Sequence, residues 1–253
     1  MKTFLETALA AADKAAADTM QFYRGDFEVE LKEDQSPVTV ADRRAEEIIR
    51  SELLGAFPDH GFYGEEFGST RADADYLWLV DPIDGTKSFV GGYGMWSTQI
   101  ALMHRGELVL GVSSAPAIGE LAWGAAGLGA EMDGEKLAVS GKTDLDQASV
   151  STGNLQSLAR SAQWAGLGRI FSRVNRTRGY GDYYHYHRLA AGQIDAVIES
   201  DVNILDIAAL AVIVREAGGV FTDLQGQPLT LETRSVLAAT PALYPVLLDL
   251  LIP

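Results

Sequence analysis

Two aspartates stand three positions apart, directly after an apolar run. The run YLWLV, residues 76–80, is followed at once by DPIDGT, residues 81–86. A buried strand that ends at Asp81 puts this carboxylate at the edge of a sheet, and a turn restrained by Pro82 can aim Asp84 at the same point. Two carboxylates this close repel each other unless a cation lies between them, and Mg²⁺ prefers such oxygen ligands. The segment therefore indicates a metal site, although Asp, Pro and Gly also combine in ordinary turns.

The end of the same segment suits a phosphate group. Gly85 permits close approach of the backbone, and Thr86 offers an N–H and a hydroxyl at the predicted start of a helix. Anions bind to the exposed N–H groups at such helix starts. The loop thus combines features of a metal site and of a phosphate site.

Three further acids could complete such a site. Asp42 and Asp206 each precede a helical pattern, and Asp is a preferred residue at the N-cap of a helix. Glu65 lies in GEE, residues 64–66, in a glycine-bounded loop, where an exposed glutamate usually only faces water. Each of the three therefore has an ordinary structural interpretation when it is considered alone.

The elements that must position these acids follow from the hydrophobic periodicity. The first 25 residues predict an Ala-rich helix, Phe27 to Leu31 alternate like a strand, and Asp42 opens a second helix that Pro58 ends. Beyond the strand at 76–80, the pattern predicts a meander of strands around residues 96–103, 107–115, 120–124 and 129–132.

The second half of the chain changes character. Strand and helix patterns alternate there, which is typical of an open α/β layer. We therefore predict an N-terminal α+β part, residues 1–140, which carries most of the metal ligands, and a C-terminal α/β part, residues 141–253, which carries Asp206 and the pocket for the substrate alcohol.

Composition excludes several classes of protein. The 253 residues are 47% hydrophobic, which is incompatible with an intrinsically disordered chain, and the absence of Cys excludes disulfides, thiolate metal sites and thiol nucleophiles. The net charge of −15 argues against a nucleic-acid-binding surface. No apolar run reaches about 18 residues, and no signal-peptide pattern is visible, so we expect a cytoplasmic protein without a membrane partner.

Taken together, four segments resemble one family. They are K-x-D-x-S-P-V-T-x-A-D (32–42), G-E-E (64–66), D-P-I-D-G-T-K-S-F (81–89) and D-x-A-A-x-x-x-I-V-x-E-A-G-G (206–219), in this order. The chain resembles the inositol monophosphatase family of Mg²⁺-dependent phosphatases over about residues 1–225. Members usually have Trp before the last Asp, where this chain has Leu205. The resemblance implies a layered α-β-α-β-α sandwich and a homodimer.

The resemblance also implies metal ligands. One Mg²⁺ would be held by Glu65, Asp81 and the carbonyl of Ile83. A second would be held by Asp81, Asp84 and Asp206, so that Asp81 bridges the two ions. A third, weakly held Mg²⁺ near Glu65 would bring the number to three.

By the same resemblance, the catalytic residues are Thr86, Asp42 and Glu65. Thr86 and Asp42 would orient the attacking water, and the N–H groups of Gly85 and Thr86 would bind the phosphate of a small monoester. The polar loop 32–36 would lie over the site, with Lys32 helping to close it.

The substrate alcohol is indicated by two more acids. Glu199, seven residues before Asp206, matches the family position that contacts the alcohol, and Asp182 lies in a Gly-Asp-x-Tyr segment similar to that of the histidinol-phosphatase branch. Two carboxylates favour a cationic alcohol over neutral inositol. We therefore expect L-histidinol phosphate, and a role in histidine biosynthesis. The alternatives are an inositol monophosphatase or broad-specificity sugar phosphatase and, more remotely, an inactive metal- or phosphate-binding regulatory module.

Two other groups of residues lie outside this pattern. His185 and His187 could share one face of a strand as metal ligands, but two histidines without a third ligand more often lie at a surface or in a pocket. A basic patch is interpreted as a solvated face, a subunit contact or an attraction for phosphorylated substrates. Its members are Arg169, Arg173, Arg176 and Arg178.

Overall fold

The computed structural model describes residues 1–25, 29–31 and 37–252. Phe27 and the loop 32–36 with Lys32 lie outside these ranges. The described helices are α1 (Lys2–Phe22), α2 (Val40–Ala56), α3 (Thr86–Val90), α4 (Leu155–Arg160), α5 (Trp164–Phe171), α6 (Asp182–Ala190), α7 (Ile204–Glu216) and α8 (Tyr244–Leu251), with a 3₁₀ turn at Leu145–Gln147. The described strands are β1 (Val29–Leu31), β2 (Pro37–Thr39), β3 (Gly61–Gly64), β4 (Gly68–Thr70), β5 (Tyr76–Asp84), β6 (Ser97–His104), β7 (Glu107–Ala115), β8 (Glu120–Ala125), β9 (Gly129–Met132), β10 (Glu135–Lys136), β11 (Ser149–Thr152), β12 (Arg176–Arg178), β13 (Ala196–Ser200), β14 (Val220–Thr222) and β15 (Ser235–Ala239).

The chain forms two compact units. The first comprises Met1–Glu135 and Leu205–Ile213, and the second comprises Lys136–Ile204 and Val214–Pro253. The larger part of α7, with Asp206, therefore belongs to the first unit. The division of the chain into residues 1–140 and 141–253 stays a prediction.

The first unit is built on an eight-stranded sheet. Its strand order is β10-β9-β8-β7-β6-β5-β3-β4. Strands β6 to β9 form the predicted meander, and β5 pairs antiparallel with β6. The pair β3 and β5 is parallel. This pairing places Gly64, the last residue of β3 and the one directly before Glu65, beside Val80, directly before Asp81 in β5.

Helices cover both faces of this sheet. On one face α1 and α2 bury a cluster with side chains of β5 to β8, including Trp78 and Ile100. On the other face α7 lies so close that a Cβ at Gly111 would overlap the carbonyl of Ala209, and a Cβ at Gly124 would crowd the backbone of Ile213. The small residues of β7 and β8 thus fix the depth of α7, and with it the place of Asp206.

The second unit is built on a five-stranded mixed sheet. Its order is β12-β11-β13-β15-β14, with β11 parallel to β12 and β13, and with β15 antiparallel to β13 and β14. Its core includes Val150, Ile198 and Leu247. Within the described ranges, every helix of the chain falls short of the length and apolar character needed to cross a bilayer.

Candidate active site

A β-bulge brings the two aspartates of DPIDGT together. Asp81 pairs with Gln99 and Asp84 with Ser97, so that β5 holds one more residue than β6 across this interval. Residues three apart in a regular strand point to opposite faces, and one extra residue restores the same face. The strand therefore continues through the segment expected to be a turn, and the bulge directs both carboxylates to one side.

Asp206 completes a group of three acids. One carboxylate oxygen from each of Asp81, Asp84 and Asp206 lies within 4.8 Å of the other two. Asp206 is the third residue of α7, so the N-cap position expected from the sequence is wrong, because the helix begins at Ile204. Leu205, where the family usually has Trp, is buried next to it.

Electrostatic repulsion within this group of acids is of the kind that a bound cation would relieve. Burial raises the pKa of Asp81 well above its usual range, and the nearby charges of Glu65, Asp84 and Asp206 raise the pKa further. A buried cluster of carboxylates is unfavourable unless protons or a cation neutralise it. Three hard oxygen donors at this separation fit a divalent cation.

Asp84 has a polar support on the neighbouring strand. Ser97 Oγ donates to Asp84 Oδ2 at 3.3 Å, and Gln99 Nε2 donates in turn to Ser97 Oγ at 2.7 Å and to Ser113 Oγ at 3.0 Å. Ser97 and Gln99 are fully buried. This hydrogen-bonded chain orients the Asp84 carboxylate, and sequence reasoning missed it because its members come from paired strands.

Asp42 and Thr86 meet at the edge of the group. Asp42 Oδ2 accepts hydrogen bonds from Thr39 N at 2.7 Å and from Thr39 Oγ1 at 2.6 Å, which forms a capping box at the start of α2. Asp42 is therefore the third residue of its helix, and Thr39 is the N-cap that the sequence analysis placed at Asp42. Thr86 Oγ1 lies 3.5 Å from Asp42 Oδ1 and donates to the Ile83 carbonyl at 3.0 Å. Burial raises the pKa of Asp42, against the lowering effect of the bonds from Thr39.

Glu65 lies in a three-residue loop between β3 and β4. Its N–H donates to the Val80 carbonyl at 3.2 Å, and Gly68, at a φ of 69°, closes the loop. Its carboxylate acts on Asp81 both by charge and by a side-chain hydrogen bond. The structure thus brings Glu65 beside Val80 and Asp81 of β5.

Glu46 is a buried acid beside this loop that sequence reasoning missed. Its two carboxylate oxygens accept hydrogen bonds from the backbone N–H groups of Glu66, at 2.7 Å, and Phe67, at 3.0 Å. Burial raises the pKa of Glu46, and these two bonds lower it. The available signal was spacing, because Glu46 follows Asp42 by four residues and so shares its face of the helix.

Gly85 connects the bulge to α3. It adopts a φ of 85°, a left-handed conformation that favours glycine, and a Cβ there would lie 2.8 Å from the Met95 carbonyl oxygen. The short helix α3 begins at Thr86, as the sequence predicted. The close packing on Met95 explains why a side chain is not tolerated at this turn.

The residues predicted for the substrate alcohol lie in the second unit. Asp182 begins α6, and Glu199 lies in β13, where it is 3% exposed. Glu199 Oε2 accepts from Tyr186 at 2.7 Å and lies 3.0 Å from His185 Nε2. A Cβ at Gly153 would overlap Glu199 Oε1, so the absence of a side chain there makes room for the carboxylate.

The histidine pair differs from its expected setting. His185 and His187 lie in helix α6 rather than on a strand, and both are fully buried. His185 Nδ1 lies 3.3 Å from Ser151 Oγ, which accepts a hydrogen bond from Tyr180 N. With Ser151 donating to Nδ1, His185 can donate from Nε2 to Glu199, so His185 orients this acid.

Comparison with known proteins decides the family. The model of the inositol monophosphatase family matches residues 1–252. The chain belongs to this family. The family membership and the fold class predicted from the sequence are therefore confirmed, and with them the enzyme class, a phosphatase that acts on phosphate monoesters.

Individual members of the inositol monophosphatase family align along most of the chain. A histidinol-phosphatase from Mycobacterium tuberculosis is 41% identical over 228 residues, which cover 88% of each protein. A histidinol-phosphatase from Streptomyces coelicolor is 39% identical over 234 residues, again 88% of each. The structure of an inositol monophosphatase from Zymomonas mobilis superimposes with a TM-score of 0.84 at 34% identity, over 99% of this chain and 98% of that one.

Proposed function

We propose that this member of the inositol monophosphatase family hydrolyses L-histidinol phosphate to L-histidinol and phosphate in a Mg²⁺-dependent reaction. The observation that carries the metal dependence is the group Asp81, Asp84 and Asp206, whose carboxylate oxygens lie within 4.8 Å of one another. The substrate is supported by the two histidinol-phosphatases at 41% and 39% identity and by the acid at Glu199.

The carboxylates divide into two sets of metal ligands in this proposal. Glu65, Asp81 and the Ile83 carbonyl would hold one Mg²⁺, and Asp81, Asp84 and Asp206 would hold a second, with a third and weaker ion near Glu65. Bound divalent cations neutralise a phosphate dianion and lower the pKa of a bound water. The bulge in β5 supports this division, because it presents Asp81 and Asp84 on one face with the Ile83 carbonyl between them in the chain.

Thr86 and Asp42 would orient the attacking water and accept its proton. The single proton of the Thr86 hydroxyl can point to the Ile83 carbonyl or to Asp42 Oδ1. When it points to Asp42, the lone pairs of Thr86 Oγ1 accept a hydrogen bond from water. The raised pKa of Asp42 makes its carboxylate a better proton acceptor near neutral pH.

The bond changes are those of a simple hydrolysis. The water oxygen forms a bond to phosphorus while the bond from phosphorus to the alcohol oxygen breaks. The proton of the water passes by way of Thr86 to Asp42, and the leaving alcohol oxygen takes up a proton from a solvent water. The N–H groups of Gly85 and Thr86, at the start of α3, would hold the phosphate oxygens.

The alcohol would be recognised by negative charge. Histidinol carries an amine and an imidazole, whereas inositol carries only hydroxyl groups. Glu199 is buried, and its Oε2 accepts a hydrogen bond from the Tyr186 hydroxyl and contacts His185 Nε2. A carboxylate fixed in this way favours a cationic group over a neutral hydroxyl, and Asp182 at the start of α6 would add a second negative charge.

An inositol monophosphatase is the second candidate. The structural relative from Zymomonas mobilis carries that name, and a carboxylate such as Glu199 can also accept hydrogen bonds from hydroxyl groups. A regulatory module without activity is not favoured, because all six acids and hydroxyl groups of the predicted catalytic and metal set are present. They are Asp42, Glu65, Asp81, Asp84, Thr86 and Asp206.

Removal of the metal tests the proposed reaction. Phosphate release from L-histidinol phosphate should stop when EDTA is added and should return with excess Mg²⁺. EDTA saturated with Mg²⁺ beforehand is the control and should have no effect. Full activity in free EDTA would contradict the metal-dependent mechanism.

Two further proposals concern the assembled protein. We propose a homodimer, on the basis of the family resemblance, and we propose that it resides in the cytoplasm. Light scattering of the purified protein should give twice the mass of 27.2 kDa, and cell fractionation should place the protein with cytoplasmic markers. A monomeric mass or a membrane-bound fraction would contradict the respective proposal.

A further inference from the structure

Glu46 is a buried carboxylate that none of the proposed chemical steps uses. It lies in α2 with no exposed surface. Burial of an acid is costly unless its oxygens receive hydrogen bonds, so such residues are rare in protein interiors. The burial of Glu46 therefore needs a specific explanation.

Both carboxylate oxygens of Glu46 accept hydrogen bonds from consecutive backbone N–H groups of one loop. Oε2 accepts from Glu66 and Oε1 from Phe67, at 2.7 and 3.0 Å. Hydrogen bonds from N–H groups to a carboxylate are about twice as strong as those between neutral groups. The side chain of Glu46 thus holds the three-residue loop that carries Glu65 by two hydrogen bonds.

The neighbouring backbone leaves room for this contact. A Cβ at Gly64, the last residue of β3, would overlap the Glu46 carboxylate. Gly64 has no positive φ that would require glycine, so the close approach of Glu46 is what excludes a side chain. Gly64 therefore provides the space in which the Glu46 carboxylate reaches the loop.

We propose that Glu46 is a positioning residue for the metal site, because its hydrogen bonds to the loop 65–67 hold the Glu65 carboxylate beside Asp81. Helix α2 then supports the site twice, through Asp42 toward Thr86 and through Glu46 toward Glu65. This inference rests on the proposed role of Glu65 as a metal ligand.

Glu46→Gln removes the interaction with little change of shape. The amide group of Gln can accept from only one of the two N–H groups, and its NH₂ faces the other. Loss of a group that orients a metal ligand typically weakens metal binding by about 10-fold or more. We therefore expect Glu46→Gln to weaken the binding of Mn²⁺, used as a probe in place of Mg²⁺, by about 10-fold.

The binding of Mn²⁺ is measured from the electron paramagnetic resonance signal of the free ion, without substrate. Glu47→Gln, an exposed neighbour on the same helix, is the matched control and should bind Mn²⁺ like the wild type. Leu53→Ala, which removes a fully buried side chain of the same helix, should lower the unfolding temperature without changing Mn²⁺ affinity. Hydrogen exchange of the Glu66 and Phe67 amides should accelerate in Glu46→Gln and should stay unchanged in these two controls.

A second variant covers the case in which Glu46→Gln does not fold. Gly64→Ala keeps the acid but displaces it from the loop, and the same loss of Mn²⁺ affinity is expected. Wild-type affinity in a folded Glu46→Gln or Gly64→Ala, with weakened binding in Glu65→Gln, would overturn the role of Glu46 and leave the proposed metal site intact. Wild-type affinity in Glu65→Gln would overturn the role of Glu65 as a metal ligand, and with it the positioning role of Glu46.

Discussion

Individual carboxylates in this protein are held in environments that favour their neutral form. Asp81 is surrounded by Glu65, Asp84 and Asp206, and both burial and this negative charge raise its pKa. A residue that only stabilised the fold would gain nothing from such repulsion. At the scale of single residues, function therefore opposes stability, and the two can be separated by substitution.

Asp84→Asn should separate the effect on activity from the effect on stability. The variant keeps the shape of the side chain, removes one ligand charge and relieves the repulsion on Asp81. Turnover should fall by at least about 100-fold, since each 1.4 kcal/mol of lost transition-state stabilisation costs about a factor of ten. The unfolding temperature in EDTA should stay unchanged or rise. A fully active variant in the phosphate-release assay would refute the assignment of Asp84.

Glu199→Gln should change the choice of substrate rather than the chemistry. Loss of the charge should reduce kcat/KM for histidinol phosphate more than kcat/KM for inositol 1-phosphate, because only the first alcohol is cationic. The exposed neighbour Asp201→Asn is the matched control and should leave both values unchanged. Equal losses on the two substrates would argue against recognition by charge.

At the scale of elements, hydrophobic periodicity predicted most strands and helices well. The strands expected around 96–103, 107–115, 120–124 and 129–132 are β6 to β9, within two residues at each end. Local sequence could not predict the bulge in β5, because a bulge exists only relative to the register of a partner strand. The same limit applies to the support of Asp84 by Ser97 and to that of the Glu65 loop by Glu46.

Helix starts were the weakest part of the prediction. An Asp before an apolar run was interpreted as an N-cap, but α2 is capped by Thr39 and α7 begins at Ile204. Both aspartates lie in the first turn, where a negative charge is also favourable. The family pattern nevertheless identified both residues, because it depends on sequence order rather than on the exact start of a helix.

The packing of α7 on the sheet should be sensitive to one methyl group. Gly111→Ala would place a Cβ against the backbone of Ala209, and such overpacking typically costs about 1–3 kcal/mol of the free energy of unfolding. Denaturant titration measures this loss, and a weaker affinity for Mn²⁺ should accompany it, because α7 carries Asp206. Gly55→Ala in α2, where a Cβ meets nothing within 4 Å, should be neutral or stabilising. An unchanged stability of Gly111→Ala would show that α7 can move away without cost.

At the scale of the whole molecule, the net charge of −15 has a partly local origin. Five of the 35 acidic residues belong to the proposed metal site, and bound cations would offset part of their charge. They are Asp42, Glu65, Asp81, Asp84 and Asp206. The acidity that first argued against nucleic acid as a partner thus also reflects a group of acids that could hold a cation.

The stability of the metal-free protein should therefore depend on pH. The pKa values of Asp42, Glu46 and Asp81 are raised in the folded chain, so the folded state binds more protons than the unfolded state above the ordinary pKa of these acids. The free energy of unfolding must then fall as the pH rises from about 4 through the raised values. Calorimetry in EDTA should show this fall, and Mg²⁺ should stabilise the protein more at pH 8 than at pH 5. Asp81→Asn should show a smaller dependence on pH, and a wild-type protein that gained stability over this range would contradict the account.

Phosphate release from four substrates at one Mg²⁺ concentration measures the proposed preference for histidinol phosphate. The substrates are histidinol phosphate, inositol 1-phosphate, fructose 1,6-bisphosphate and adenosine 3′,5′-bisphosphate. We expect the highest kcat/KM for histidinol phosphate, by at least about tenfold, which corresponds to about 1.4 kcal/mol of preferential recognition. A higher kcat/KM for inositol 1-phosphate, or no release from histidinol phosphate, would contradict the proposed function.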